Sequence, residues 1–199
     1  MKIKELNESQ STNVLVCDVQ PGYKHHAKKI SKKVCRFLNN QTGRIVIMYN
    51  GTESGQTDDT EYEVYEYLMK NGLSPKIAQS AEYVEKEYGF LRSWMDQNVP
   101  PRIIIKIIRA MVMNQLVDGR DLDNIDEILD DNDIATLDSL NFDWREESIY
   151  LPGFLDVALL KNLSPFYLVG GGRNECLKEI ELICNAFNIK YKRIDSLIY

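Results

Sequence analysis

The sequence predicts an α/β protein, a three-layer α/β/α sandwich built on a doubly wound, mainly parallel sheet. Three observations lead there. Short β-branched and apolar runs, Val14 to Cys17, Ile45 to Tyr49 and Phe166 to Val169, are apolar at successive positions, as strands covered on both faces must be. Segments with helical spacing separate them, so strand and helix alternate at both ends of the chain. Turn-forming residues, Asn50-Gly51 and Gly170-Gly171-Gly172, stand directly after two of the runs.

In chain order, Asn13 to Cys17 reads as a buried strand. The segment from Lys24 to about Asn40 carries Ala27, Ile30, Val34 and Phe37 at helical spacing. Its lysines, Lys24, Lys28, Lys29, Lys32 and Lys33, therefore fall on the solvated side of an amphipathic helix. A polar turn, Asn39 to Gly43, closes it, and Arg44 to Tyr49 is a second strand. Such a strand, helix, strand unit forms with parallel strands and a right-handed crossover.

Thr60-Glu61-Tyr62-Glu63 has capping-box spacing and Gly72 follows Asn71, which brackets a helix from about Glu61 to Asn71. Pro100-Pro101 precede Ile103, Ile104, Ile107, Ile108, Met111, Val112 and Leu116. Proline suits a first helical turn, and this wide apolar face reads as core or as a contact between subunits.

From Asp118 to Glu147 acidic residues far outnumber Arg120 and Arg145. This stretch, about 118–147, is read as a helical and loop insertion with a solvated surface. It is too short to build a core of its own, so residues 1–199 are expected to form one domain. Asp121, Asp123 and Asp126 lack the glycine and terminal glutamate register of a calcium loop. A strand at Ser148 to Leu151, a helix from Pro152 to about Asn162, a strand at Phe166 to Val169, a helix from about Asn174 to Phe187 and a strand around Lys190 to Ile194 complete the pattern.

Composition narrows the function. A hydrophobic content of 44% with 27% charged residues is that of a globular protein, and no apolar run reaches the length of a bilayer span. Residues 1 to 12 are polar and do not read as a secretory signal, so a cytoplasmic location is expected. A net charge of −6, and the lack of aromatic residues among the lysines, argue against nucleic acid as a partner. Cys17, Cys35, Cys176 and Cys184 stand singly, which favours reduced thiols over disulfides or a zinc ribbon. His25 and His26 are adjacent and do not share a helix face, so no metal site and no cofactor are expected.

Two motifs carry chemistry. Asp18 follows the first strand directly, where a carboxylate would meet the crevice that open parallel sheets present to ligands at their carboxyl ends. There it would accept a proton, or alternatively bond nearby loop amides. Cys176 falls in the first turn of a helix just after three glycines, and helix N-termini favour the nucleophilic form of a thiol. Backbone amides from Gly171 to Cys176 would serve as an oxyanion hole. The plainer alternative is a buried apolar cysteine at a tight turn. Gly170-Gly171-Gly172 before a helix also admits a phosphate-binding reading, weakened because Glu175 occupies the third glycine position of a dinucleotide fingerprint and no Walker lysine follows.

Asp18-Val19-Gln20-x-x-Tyr23 and Gly170 to Leu177 together resemble the isochorismatase-like cysteine hydrolase superfamily, which includes nicotinamidases and N-carbamoyl amide hydrolases. They look like its Asp-x-Gln-x-x-aromatic segment and its Gly-x-x-x-x-x-Cys-Val segment, and Ala186, Phe187 and Tyr191 fall where that family has an alanine, an apolar residue and an aromatic. The resemblance implies a Rossmann-like sheet and an Asp, Lys, Cys triad in which Asp18 and Cys176 fill two places. The lysine place maps just before Leu151-Pro152-Gly153-Phe154, and no lysine lies between Gln115 and Lys161. Lys86, Lys106 and Arg173 are the cations that would have to reach the site from elsewhere. Arg173 and Asn174 stand where the family has a threonine and an acidic residue. The histidine-bearing metal motif of some nicotinamidases is absent from Tyr49-Asn50-Gly51.

Two functions follow as expectations. The first is a cysteine hydrolase of a small amide or related C–N bond, with Cys176 as nucleophile and Asp18 as proton acceptor. Gln20, Asn50, Gly171, Gly172, Arg173 and Glu175 would bind the substrate. The second is a catalytically degenerate member of the fold that binds a small ligand or a protein partner, with the unfilled lysine place, the acidic stretch and the Ile103 to Leu116 face as its grounds. A homo-oligomer is expected in either case.

Overall fold

The computed structural model describes residues 12–51, 59–86, 91–116, 125–140, 143–145 and 157–199. Its centre is a five-stranded sheet: β1 (Asn13–Cys17), β2 (Ile45–Asn50), β3 (Glu82–Lys86), β4 (Phe166–Gly170) and β5 (Tyr191–Arg193). The order is β3-β2-β1-β4-β5 and every pairing is parallel. The chain thus builds outward from β1 in one direction, then crosses to β4 on its other side. Cys17 pairs with Met48 on one flank and with Gly170 on the other, and Asn50 pairs with Lys86. The carboxyl ends of β1, β2, β3 and β4 therefore lie side by side.

Side chains of the central strands alternate between two buried clusters, as the two-residue period of a strand requires. Leu15, Cys17, Val46 and Met48 join one cluster, with residues of α6 (Pro101–Met113), α9 (Val157–Leu163) and α10 (Cys176–Ala186). Val14, Val16, Ile45 and Ile47 join the other, with residues of α2 (Ser31–Leu38), α3 (Glu61–Lys70) and α4 (Pro75–Ser80). No helix among the described residues is long and apolar enough to cross a membrane.

The expected strands β1, β2, β4 and β5 form within a residue or two of their expected limits. β3 comes from a segment without an expected strand. Its sequence, Glu-Tyr-Val-Glu-Lys, reads as polar because it lies at the sheet's edge, where Glu82 and Glu85 face solvent. The expected strand at Ser148 to Leu151 and the acidic residues Asp121 and Asp123, which lack calcium-loop register, lie outside the described residues.

The Lys-rich segment forms two helices rather than one, α1 (Lys24–Ala27) and α2. Between them the Ile30 N–H bonds back three residues to the Ala27 carbonyl at 2.9 Å, and the Ser31 hydroxyl donates to the same oxygen at 2.7 Å. The tightened turn buries Ile30 while the lysines stay exposed, as expected. Thr60 and Glu63 form a reciprocal capping box at the start of α3.

Of the two expectations for the α6 face, the core reading holds and the interaction-surface reading does not. The apolar face of α6 lies in the core: Ile103, Ile104, Ile107, Ile108 and Met111 are buried, and α6 packs on α10. It is not open to a partner. The acidic stretch is not wholly solvated either. Between α7 (Ile125–Ile128) and the residue after α8 (Asp131–Asp138), Leu129 and Leu137 join the same core, as does Trp144. Asp133, fully buried, pairs with Lys106 and Arg102 of α6. The carboxylates alternate with anchoring apolar residues, so charge alone hid the packing.

Candidate functional site

β1 ends by turning its next residue inward. Asp18 adopts a left-handed backbone conformation with φ of 53°, which aspartate tolerates better than most residues, and its N–H donates to the Met48 carbonyl at 2.9 Å. The residue is only 2% exposed. One oxygen, Oδ2, lies 3.1 Å from Lys86 Nζ and accepts from the Cys17 thiol at 3.4 Å. The other, Oδ1, is buried without a hydrogen-bond partner, the only such side-chain atom among the described residues. A buried unpaired carboxylate oxygen is costly unless something else uses it.

Lys86 closes β3 and is as buried as its partner. Its ammonium also donates to Asn50 Oδ1 at 2.9 Å, and Asn50 Nδ2 donates in turn to the Tyr23 hydroxyl at 2.5 Å. Burial alone disfavours the charged lysine. The Asp18 carboxylate outweighs it, with the Cys17 and Cys176 sulfurs and Glu179 adding to the effect, so the pKa of Lys86 rises above its ordinary value. The lysine stays an ammonium and fixes Asp18 as its counter-ion.

Beyond β4 the backbone turns sharply at Gly170 (φ 81°) and Gly171 (φ 61°). A side chain at Gly170 would meet the Cys17 carbonyl at 2.3 Å, and one at Gly171 would meet the Cys176 sulfur at 2.9 Å. Glycine is required at both places by conformation and by close approach. The turn delivers Cys176 to the first position of α10, half-buried, with the Gly172 N–H donating to its Sγ at 3.2 Å. The Sγ atoms of Cys176 and Cys17 and a carboxylate oxygen of Asp18 lie within 4.8 Å of one another. Three such ligand atoms resemble a metal site, but the carboxylate is already paired with the Lys86 ammonium.

Asp18, Lys86 and Cys176 line one pocket of about 460 Å³, a size suited to a small molecule. Gly172, Arg173 and Glu175 line it as expected. Gln20, Asn50 and Gly171 are not among its lining residues. Gln20 instead ties β1 to β2: its Nε2 donates to the Asn50 carbonyl at 2.8 Å and to Asp59 at 2.7 Å, and its Oε1 accepts from the Asn50 N–H at 2.8 Å. Asn50 holds Lys86, and Gly171 makes room for the sulfur.

Arg173 pairs with Asp195 at 2.7 Å and Lys106 with Asp130 at 2.7 Å. Of the three cations considered, Lys86 is therefore the one that reaches Asp18. The lysine place that the resemblance maps before Leu151 to Phe154 lies outside the described residues.

Three further lining residues carry no motif. Arg92, at the start of α5 (Arg92–Asp96), bridges to Glu175 at 3.3 Å. Tyr199 donates to the Asp18 carbonyl at 3.3 Å and stacks on His26; burial, then the nearby Asp18 carboxylate, raise its pKa and keep the hydroxyl protonated. Glu179, one turn beyond Cys176 on α10, is buried and accepts from the Leu91 N–H at 3.0 Å. Burial pushes its pKa up to about 7 against the lowering pull of that bond and of Lys86. The helical spacing Cys176, Glu179 was the available signal for the last of these. No protein-family model, curated protein or solved structure matches the chain.

Proposed function

We propose that the chain is a cysteine hydrolase of a small amide or related C–N bond, with the three-layer, isochorismatase-like architecture that its motifs resemble. The observation that carries this reading is the buried Asp18–Lys86 ion pair beside the Cys176 sulfur in one pocket. The main ground for a non-catalytic reading was the unfilled lysine place, and Lys86 supplies a lysine from β3.

In this reading Asp18 takes the Cys176 proton, for which Oδ1 has no competing partner. The sulfur adds to the carbonyl carbon, the C–N bond breaks as the nitrogen takes that proton, and water then hydrolyses the thioester. Lys86 remains protonated and balances the charge that moves between sulfur and carboxylate. The Gly172 amide is directed at the sulfur, and the Arg173 and Glu175 amides are bonded to carbonyls. The Cys176 amide, at the start of α10, and the nearby Gly171 and Asn174 amides are then the donors left for the carbonyl oxygen.

The test is ammonia release from a panel of small primary amides and N-carbamoyl compounds, nicotinamide included. Turnover by the wild type that falls at least about a thousandfold in Cys176→Ser and in Asp18→Asn supports the reading. Silence across the panel, or turnover that survives Cys176→Ser, overturns it.

A further inference from the structure

Hydrolysis leaves Cys17 without a task, yet this second thiol stands directly against the first. Cys17 is the last residue of β1, fully buried, and its Cα pairs with that of Gly170 in β4. The Gly170 to Gly172 turn then folds Cys176 back over the same point, which brings the two sulfurs within 4.8 Å. Only Cys176 opens on the pocket. One thiol thus meets solutes while the other waits behind it.

We propose that Cys17 and Cys176 form a peroxide-responsive thiol pair, in which Cys176 is oxidised first and Cys17 resolves it as a disulfide. The inference rests on the hydrolase reading only in taking Cys176 as the reactive thiol. Hydrogen peroxide is small enough for a pocket of about 460 Å³. The Cys176 sulfur, its proton taken by Asp18, attacks one peroxide oxygen. The O–O bond breaks and leaves Cys176 as a sulfenic acid, and the departing hydroxide becomes water with that proton.

Cys17 then acts. Its thiol already donates to Asp18 Oδ2 at 3.4 Å, so its proton has an acceptor as the sulfur attacks the sulfenic sulfur. The S–O bond breaks, hydroxide leaves as a second water, and the disulfide forms. Two thiols and one peroxide give one disulfide and two waters, with two electrons passing from sulfur to peroxide. A disulfide needs sulfurs about 2.05 Å apart, which side-chain rotation at the first turn of α10 must supply. Burial, then the neighbouring Cys176 and Asp18, hold the Cys17 pKa well above its ordinary value, so the resting thiol is inert until a sulfenic acid faces it. The pair converts an oxidation that would otherwise proceed to irreversible acids into one that an external dithiol reverses.

The experiment treats the full chain with hydrogen peroxide, then maps peptides by mass spectrometry without reduction and counts free thiols. The expected result is a peptide pair joined through Cys17 and Cys176, two hydrogens lighter than its parts. Two of the four thiols should be lost, and dithiothreitol should restore both. In Cys17→Ser the same dose should carry Cys176 on to sulfinic and sulfonic acids that dithiothreitol does not recover. Absence of the joined peptide in wild type, or a bridge through Cys35 or Cys184 instead, overturns the proposal. Neither readout needs turnover: a protein that hydrolyses no amide but forms the bridge loses the hydrolase reading alone.

Discussion

Lys86 and Asp18 hold each other in a place that neither would occupy alone. Removing one partner of a buried ion pair strands the other charge, at a typical cost of about 3–5 kcal/mol. Lys86→Met should lower stability by that order in urea unfolding, and Lys86→Met combined with Asp18→Asn should recover much of the loss. If the double variant is no more stable than Lys86→Met, the pair is not the interaction that matters. Glu179 makes a second test at this scale. Its ordinary carboxyl value is 4.5 and its folded value about 7, so the folded state keeps its proton while the unfolded chain releases one. This group therefore lowers stability as pH rises from about 4.5 to 7, and the loss then stays constant. Glu179→Gln keeps the acceptor for the Leu91 N–H and removes that penalty. It should match wild type below pH 4 and exceed it by roughly 1–3 kcal/mol above pH 7, measured by thermal unfolding across pH. Asp18 and Cys176 were legible because each interrupts a pattern, one at the end of an apolar run and one after three glycines. Lys86 was legible only as one of three candidate cations, since a lysine after Glu-Tyr-Val-Glu looks like one more surface charge until β3 pairs with β2.

Helices and strands show the same division. The capping box of α3 and the proline start of α6 are local signals that depend on a few adjacent residues, and both helices begin where those signals stand. The break between α1 and α2 depends on a hydroxyl reaching back to Ala27 and on the burial of Ile30, which no periodicity announces. A wide apolar face tells how much must be covered, not by what. On α6 the cover is α10 and the acidic stretch, through Leu129, Leu137 and the buried Asp133. Ile107, fully buried at the middle of that face, is accordingly a core residue. Ile107→Ala should cost about 2–5 kcal/mol in chemical denaturation, against much less for a surface contact. A loss under about 1 kcal/mol would mean that the face is not packed as described.

Taken as a whole, the molecule gathers its site from three distant segments, around Asp18, Lys86 and Cys176, because parallel strands must return to the same end before each new pairing. The order β3-β2-β1-β4-β5 puts the earliest strand at the centre, with β4 on its second edge. That edge is Val-Leu-Val-Cys, wholly buried in the finished protein and suited to pairing with any other strand when bare. A chain shortened to end at Leu163 lacks β4 and β5, and should self-associate at concentrations where the full chain does not, by light scattering. A monodisperse, folded short form would contradict the strand order.

That central position also sets a schedule for biosynthesis. The ribosome releases β1, β2 and β3 well before the segment that carries β4, so the carboxylate and its ammonium are available while the sulfur is still unmade. The last strand-turn-helix unit then adds to the bare edge of β1, and β5 follows on its far side. The Cys176 side of the pocket is therefore the last of its walls that the nascent chain acquires, and a ribosome that stalls in the acidic stretch releases a product with an open seam and no Cys176.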